Sequence, residues 1–311
     1  MKRLAAFAVI ALVPQAVLGQ DKVNIGISGW TGFAPLTLAL QAGIFKKNGI
    51  DATIKKIPQQ SRHLAIASGD IQCAATTVET WLVWNANGVL TKQIFQLDKS
   101  YGADGMATRP NVAKIADLKG KTIGSQAPGT SPYFVMAWML KKNGLTPKDV
   151  TVVSIDPGPA AQAFLAGQYD AVMTYEPYLS SIRAKPDTGK IIATTLDYPV
   201  VMDTFGCTPK YLAENGRAAR AMTQSYFQAL EMIAKEPQKS YEIMGADVKQ
   251  SAEQFANSAK YLRWQDRGAN QKFFAGELQA FLKEAGQILL EIGIIKSMPD
   301  VNSTIDTSYI K

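Results

Sequence analysis

The polar and apolar positions of the chain fall into two alternating kinds of stretch. Short runs at Val23–Ser28, Asp51–Ile57, Cys73–Thr77, Thr122–Ser125, Val150–Ile155 and Ala171–Thr174 read as strands. Between them the apolar residues recur at helical spacing. The first helix is expected to open at Pro35, since proline suits the first helical position, and Leu36, Leu40 and Ile44 then form one apolar face. It should stop at Asn48-Gly49, with Lys46 and Lys47 in a last turn where cations complement the helix dipole. Strands and helices alternating in this way predict an α/β fold with parallel sheets.

The pattern occurs twice. VNIGISGWTGFAP, FKKNGI and ASGDIQCAATTVETW are followed in the same order by KTIGSQAPGTSPY, LKKNGL and LAGQYDAVMTYEPY. Pro35 corresponds to Pro132 and Glu79 to Glu176, both 97 residues on, and Gly49 to Gly144, 95 residues on. The second helix is opened by Ser131-Pro132, closed by Lys141-Lys142 and capped by Asn143-Gly144. Each copy ends in Thr-x-Glu. The repeat predicts two pseudo-symmetric lobes facing each other across a cleft, with a carboxylate on each wall.

Beyond Pro199 the pattern changes. VVMDTFGCTP reads as one strand, and the rest is mostly helical, with amphipathic helices at Ala219–Ala234 and Phe274–Ile292. The chain is expected to enter the second lobe near Tyr101–Pro110, to return near Val200–Thr208, and to pack its C-terminal helices on the first lobe. Lobe one is then residues 20–104 and 203–311, and lobe two residues 105–202. Two crossings make a two-segment hinge, a geometry that closes on a ligand.

Composition narrows the class. The 47% apolar and 19% charged content is that of a globular protein. Residues 1–19 read as a secretory signal peptide: Lys2 and Arg3, an apolar run from Leu4 to Val13, then small residues near Gly19. The mature chain is expected to be soluble and exported to the periplasm. Lys plus Arg exceed Asp plus Glu, 33 to 26. Basic tracts interleaved with aromatic residues, as a nucleic-acid groove needs, are missing, so the excess is read as a solvated surface. Cys73 and Cys207 are either two buried thiols or, in an oxidising compartment, one disulfide.

Several segments together resemble the periplasmic solute-binding proteins of ABC importers, in the aliphatic sulfonate, taurine and nitrate class. They are AGIFKKNGIDATI, ASGDIQCAATT, IADLKGKTIGSQAPGTSPYFVMAWMLKKNGL and AFLAGQYDAVMTYEPYL. The resemblance runs from about Val23 to the C-terminal helices; it implies a type II periplasmic-binding-protein fold and an ABC permease as partner. GWTGFAPLTLA, TTVETWLVWNANG, QLDKSYGADGM and MDTFGC look most like a branch associated with urea-carboxylase pathways, which implies guanidine or a urea-like compound as ligand.

The residues give a separate argument about the ligand. In open α/β sheets ligands bind outside the carboxyl ends of the strands. That rule selects Trp30, Thr31 and Phe33 after the first strand, and Thr77, Glu79 and Trp81 around the third. It selects Thr130, Ser131 and Tyr133 at a helix start of lobe two, then Tyr175 and Glu176. The hinges add Tyr101, Asp104 and Asp203, with Asp98 beside them. The helix start near Ser131 suits an anion, as a sulfonate or nitrate binder would need. The carboxylates argue the other way. Glu79, Glu176 and Asp203 would pair with the donors of a planar guanidinium, while Trp30, Trp81, Tyr101 and Tyr175 would frame its faces. No basic residue is expected on a cleft loop.

Each assignment has a plainer reading. Glu79 and Glu176 sit at helix starts, where an acid complements the dipole. Trp81 and Trp84 are spaced as core residues, and Trp264 reads as structural. An acid and a base across a cleft could also make an enzyme. The lone His63, placed away from the strand ends, and the lack of a metal-ligand cluster or phosphate loop favour a binding protein. The chain is therefore expected to be a monomeric, non-enzymatic solute-binding protein without catalytic residues, metal or cofactor. Its expected ligand is guanidine or a urea-like solute, with a sulfonate, taurine or nitrate as the alternative.

Overall fold

The computed structural model describes residues 20–311; the expected signal peptide, residues 1–19, lies outside the described residues. The first half of the chain runs β1 (Asp21–Ile27), α1 (Ala34–Gln41), α2 (Ile44–Lys47), β2 (Ile50–Lys56), α3 (Gln59–Ala67), β3 (Cys73–Thr77), α4 (Val78–Ala86) and β4 (Lys92–Ser100). The middle runs β5 (Asp104–Thr108), β6 (Thr122–Ser125), α5 (Ser131–Lys142), β7 (Thr151–Ser154), α6 (Pro157–Leu165), β8 (Ala171–Tyr175), α7 (Tyr178–Arg183) and β9 (Lys190–Thr194). The rest is β10 (Met202–Cys207), α8 (Pro209–Glu214), α9 (Gly216–Lys235), α10 (Pro237–Asp247), α11 (Ala252–Ala259), β11 (Leu262–Trp264), α12 (Arg267–Lys272) and α13 (Leu278–Glu291).

Two sheets result. The first has the order β11-β4-β10-β3-β1-β2 and the second β7-β6-β8-β5-β9. Read outward from its parallel edge, β2-β1-β3-β10-β4 in the first sheet matches β7-β6-β8-β5-β9 in the second. The two sequence repeats supply the first three strands of each, and these are parallel. The fourth strand in each is antiparallel and lies next to a crossing. The chain crosses to the second sheet over Tyr101–Ala103 and returns over residues 195–201. β10, which follows the return, is therefore inserted into the first sheet between β3 and β4.

The expected single helix from Pro35 to Asn48 is two. α1 ends at Gln41 and α2 starts at Ile44, because Gly43 takes φ +71°, a left-handed conformation that a helix cannot carry. The C-terminal helices pack on the first sheet's side: α9 and α10 against α1, and α13 against α4. Under α9, the rings of Phe95 on β4 and Phe205 on β10 stack at 4.9 Å, with Tyr226 at 5.2 Å from Phe95. α13 also reaches the second lobe, where Phe281 stacks on Trp138 of α5 and Glu291 pairs with Lys141.

The cysteines form a disulfide. Cys73 and Cys207 stand directly opposite in the antiparallel β3–β10 register and are bonded, S–S 2.08 Å. The bridge spans 134 residues of sequence, including the whole second lobe, and pins the strand that carries Asp203 to the strand that carries Thr77. Because a long loop is closed, reduction or a double Cys→Ala variant should lower the unfolding free energy by about 2–4 kcal/mol in urea titrations. An unchanged midpoint would refute this.

Candidate functional site

The site lies where both sheets end against each other. In the first sheet one row crosses three strands: Thr77 on β3 pairs with Asp203 on β10, which pairs with Asp98 on β4. In the second sheet Asp104 opens β5 opposite Tyr175, the last residue of β8. Thr77, Asp203, Asp104 and Tyr175 line one cavity, joined by Trp30 and Phe33 from the loop after β1, and by Ser131 at the start of α5. The volume open to the centre of a water molecule is only about 20 Å³, close to the roughly 10–15 Å³ that holds one water.

Trp30 ties the two sides together. Its indole N–H donates to Asp98 Oδ1 at 3.1 Å, and its ring meets Tyr175 edge-on at 5.4 Å. Gly32 makes this possible: a Cβ there would lie 2.2 Å from both Asp98 Oδ2 and Trp30 Nε1. Trp264 holds the same loop by donating to the Gly32 carbonyl at 3.0 Å, the structural role its sequence position suggested.

Four cavity residues were not singled out from the sequence: Ser28, Val201, and Gln59 and Arg62 of α3. Gln59 Nε2 donates to the hydroxyls of Thr76 at 2.7 Å and Thr80 at 3.0 Å, and its Oε1 accepts the backbone N–H of Ser131 at 3.1 Å. It therefore spans the cleft. Arg62 is fully buried and donates to the backbone carbonyls of Ile57 and Ala75. The expectation of no basic residue in the cleft is thus corrected. The strand-end rule points to the loop after β2, just before α3, but not to which side chains of α3 turn into the cleft.

The carboxyl groups are the unusual feature. Glu79 Oε2, Asp98 Oδ2, Asp104 Oδ2 and Asp203 Oδ2 are all buried and have no hydrogen-bond partner. Burial pushes Glu79 up to about 7, although a 2.5 Å hydrogen bond from Thr77 opposes it. Burial likewise raises Asp104 to about 7, and the charge of Glu176 adds to the effect. Asp98 is raised to about 8 by burial, against the donor of Trp30. Asp203 is raised well above the usual range by burial and by the charges of Asp98, Asp104 and Glu79. Arg62 is lowered by burial to about 10 and stays charged at neutral pH.

Other sequence-selected residues lie elsewhere. Trp81 is core: it is fully buried, donates to Thr204 at 2.7 Å and packs edge-on against Trp84. Tyr101 is 51% exposed and carries the Arg263 guanidinium on its ring, because the crossing turns it outward. The Thr130 hydroxyl donates to the Ala127 carbonyl, and its side chain faces a separate groove with His63. Tyr133 is half-buried and does not line the cavity. Thr31 is buried beside the cavity, its hydroxyl without a partner. Glu176 is the main correction. One oxygen accepts from Arg183 at 2.7 Å and the other from the Ser180 N–H at 3.1 Å, so the acid is consumed within α7.

The raised carboxyls have a consequence for stability. Their folded-state values exceed the unfolded value of about 4, so the folded chain holds more protons. The stability these groups contribute is full below about pH 4 and is lost as pH rises through 7 to 8. The melting temperature without solute should therefore fall between pH 5 and 8.5. A flat or rising curve would show that the carboxyls are solvated.

Residues 30–240 match the family described as NMT1/THI5 like. The chain is 25% identical over 248 residues to the taurine-binding periplasmic protein of Escherichia coli, covering 76% of this chain and 74% of that one. It superposes on the alkanesulfonate-binding protein SsuA from Xanthomonas axonopodis pv. citri, bound to MOPS, with a TM-score of 0.80 and 17% identity. That match covers 94% of this chain and all of the other. The periplasmic nitrate-binding protein NrtA from Synechocystis gives a TM-score of 0.67 at 17% identity, covering 90% and 92%. The two-lobed α/β architecture is the periplasmic-binding-protein fold, and the chain belongs to the NMT1/THI5-like family.

Proposed function

We propose that the protein is the periplasmic solute-binding component of an ABC importer, and that it closes its lobes on a small, planar, donor-rich cation of the guanidinium type. The observation that carries this reading is the set of four buried carboxyl oxygens without donors. A guanidinium offers N–H groups on every edge and meets a carboxylate through two parallel hydrogen bonds. Asp203 and Asp104 reach it from the two sheets, with Glu79 behind Thr77. Trp30, Phe33 and Tyr175 supply flat apolar walls for its faces. The cavity as it stands has room for little more than one water, so the lobes would part slightly to admit even a small solute. Export to the periplasm rests on the leader-like residues 1–19 and on the relatives' printed names. A permease is the partner this role requires.

A second reading is an oxyanion: taurine, another sulfonate or nitrate. The names of the relatives favour it, and so does Arg62 in the cavity wall. Two features weigh against it. The Arg62 guanidinium already donates to backbone carbonyls, and the N–H at the start of α5 already donates to Gln59. A sulfonate would also require Asp104 and Asp203, the two carboxyls that line the cavity, to stay protonated.

Calorimetry at pH 8 with guanidinium, urea, taurine, methanesulfonate and nitrate separates the readings. Guanidinium should bind and the oxyanions should not; a strong taurine or methanesulfonate response with guanidinium silent would overturn the proposal. Asp203→Asn should weaken guanidinium by about 10- to 100-fold, the range for a charge-assisted hydrogen bond of about 1.5–3 kcal/mol. Glu176→Gln should leave affinity within about twofold while lowering stability by about 1–3 kcal/mol, because its carboxylate serves Arg183 and Ser180. Equal losses in both variants would place Glu176 against the solute.

A further inference from the structure

The carboxyls outnumber the charge that a guanidinium-type solute can neutralise, and Asp98 is the one the proposed contacts do not use. Asp98 and Asp203 are direct partners across the antiparallel β4–β10 pair. Directly opposite residues of an antiparallel pair point to the same face of the sheet, and both carboxyls are buried there. Two carboxyl groups so placed resist double ionisation while no cation is present, so in the empty site they hold a proton between them; a cation beside Asp203 relieves that repulsion. Asp98 Oδ1 is fixed by the Trp30 indole, and its Oδ2 has no partner, nor has Asp203 Oδ2.

The groups facing this pair come from every neighbouring element. β5 brings Asp104, α4 brings Glu79 and α3 brings Arg62. α9 brings Tyr226, whose hydroxyl donates to the Leu97 carbonyl and is held neutral by burial. Tyr175 comes from β8 and is likewise kept neutral. The neighbouring Lys99 turns outward to Glu277. Four carboxyls thus face one guanidinium, that of Arg62. Without solute, near-neutrality requires about three protons on the acids; with a bound monocation it requires about two.

Resting on the cation reading above, we infer that loading is an exchange, in which the cation enters and about one proton leaves to solvent from the Asp98–Asp203 pair. Asp98 is a positioning residue. It does not meet the solute but sets the protonation of Asp203, which does. The exchange also discriminates by charge: a neutral urea displaces no proton, so it meets Asp203 in its protonated form and gains no ion pair.

The test is calorimetry of the full chain with guanidinium at pH 7 in phosphate and in Tris, whose ionisation enthalpies differ widely. The difference in heat gives the protons released. Wild type should release about 0.5–1 proton per guanidinium. Its affinity should weaken with falling pH below 7, by up to about tenfold per unit, while any urea affinity stays flat. Asp98→Asn keeps the shape and still accepts the Trp30 N–H; it should bind guanidinium but release less than about half as many protons. Guanidinium binding with the same heat in both buffers would overturn the exchange, as would an unchanged proton count in Asp98→Asn. The wild-type count and pH profile decide the matter even if that variant does not fold. Absence of any guanidinium heat in wild type would instead overturn the cation reading, and the exchange with it.

Discussion

Everything at this site depends on keeping four carboxyl groups out of water with one oxygen of each left without a partner. Glu79, Asp98, Asp104 and Asp203 are each buried with one oxygen unsatisfied. An ionised carboxylate in such surroundings costs several kcal/mol. The folded chain meets that cost partly by protonation, which is what the raised pKa values express. It also needs a scaffold rigid enough to hold groups that repel one another. The β3–β10–β4 row supplies it, locked in register by the Cys73–Cys207 bridge at its far end.

The sequence repeat explains the scaffold but not the chemistry. Strands β1, β2 and β3 reappear as β6, β7 and β8 in the same order, and the inserted strands β10 and β5 take equivalent places. Both inserted strands bring an aspartate to the cleft. The repeated acids themselves diverge. Glu79 lies against Thr77 with one oxygen unpaired, whereas Glu176 is bound by Arg183 seven residues, about two helical turns, further on. Equivalent sequence positions give equivalent backbone placement. The partner that an acid finds depends on the neighbouring helix, and only the second copy has an arginine there.

That contrast marks how much the sequence discloses. The strands at Cys73–Thr77 and Thr122–Ser125 lie where the apolar runs put them, and the other predicted strands shift by a residue or two at their ends. Period and turn chemistry act locally, so they are legible. Trp30, Thr77, Asp104 and Asp203 follow from the strand-end rule, and they do line one cavity. Arg62 and Gln59 depend on α3 turning its first residues into the cleft, a matter of helix orientation that no local pattern encodes. Tyr101 fails for the converse reason. It sits in the crossing, as expected, but the side a link residue faces is decided by packing between the lobes.

Gln59 bears most directly on why the fold and the pocket point to different ligands. The folded relatives include proteins named for taurine and alkanesulfonate, and the start of α5 is the place where this architecture can meet an anion with backbone N–H groups. Here the Gln59 carbonyl accepts the Ser131 N–H, and its amide serves Thr76 and Thr80 on the other lobe. A neutral side chain from lobe one thus does what a ligand oxygen could do, and does it without adding charge. With the Ser131 N–H taken up internally, the unpartnered polar atoms lining the cavity are one oxygen each of Asp104 and Asp203 and the Ser131 hydroxyl. The cation proposed above would bring donors to the two carboxyl oxygens. On the cation reading proposed above, the residue that fills the helix end decides what chemistry is left for the solute.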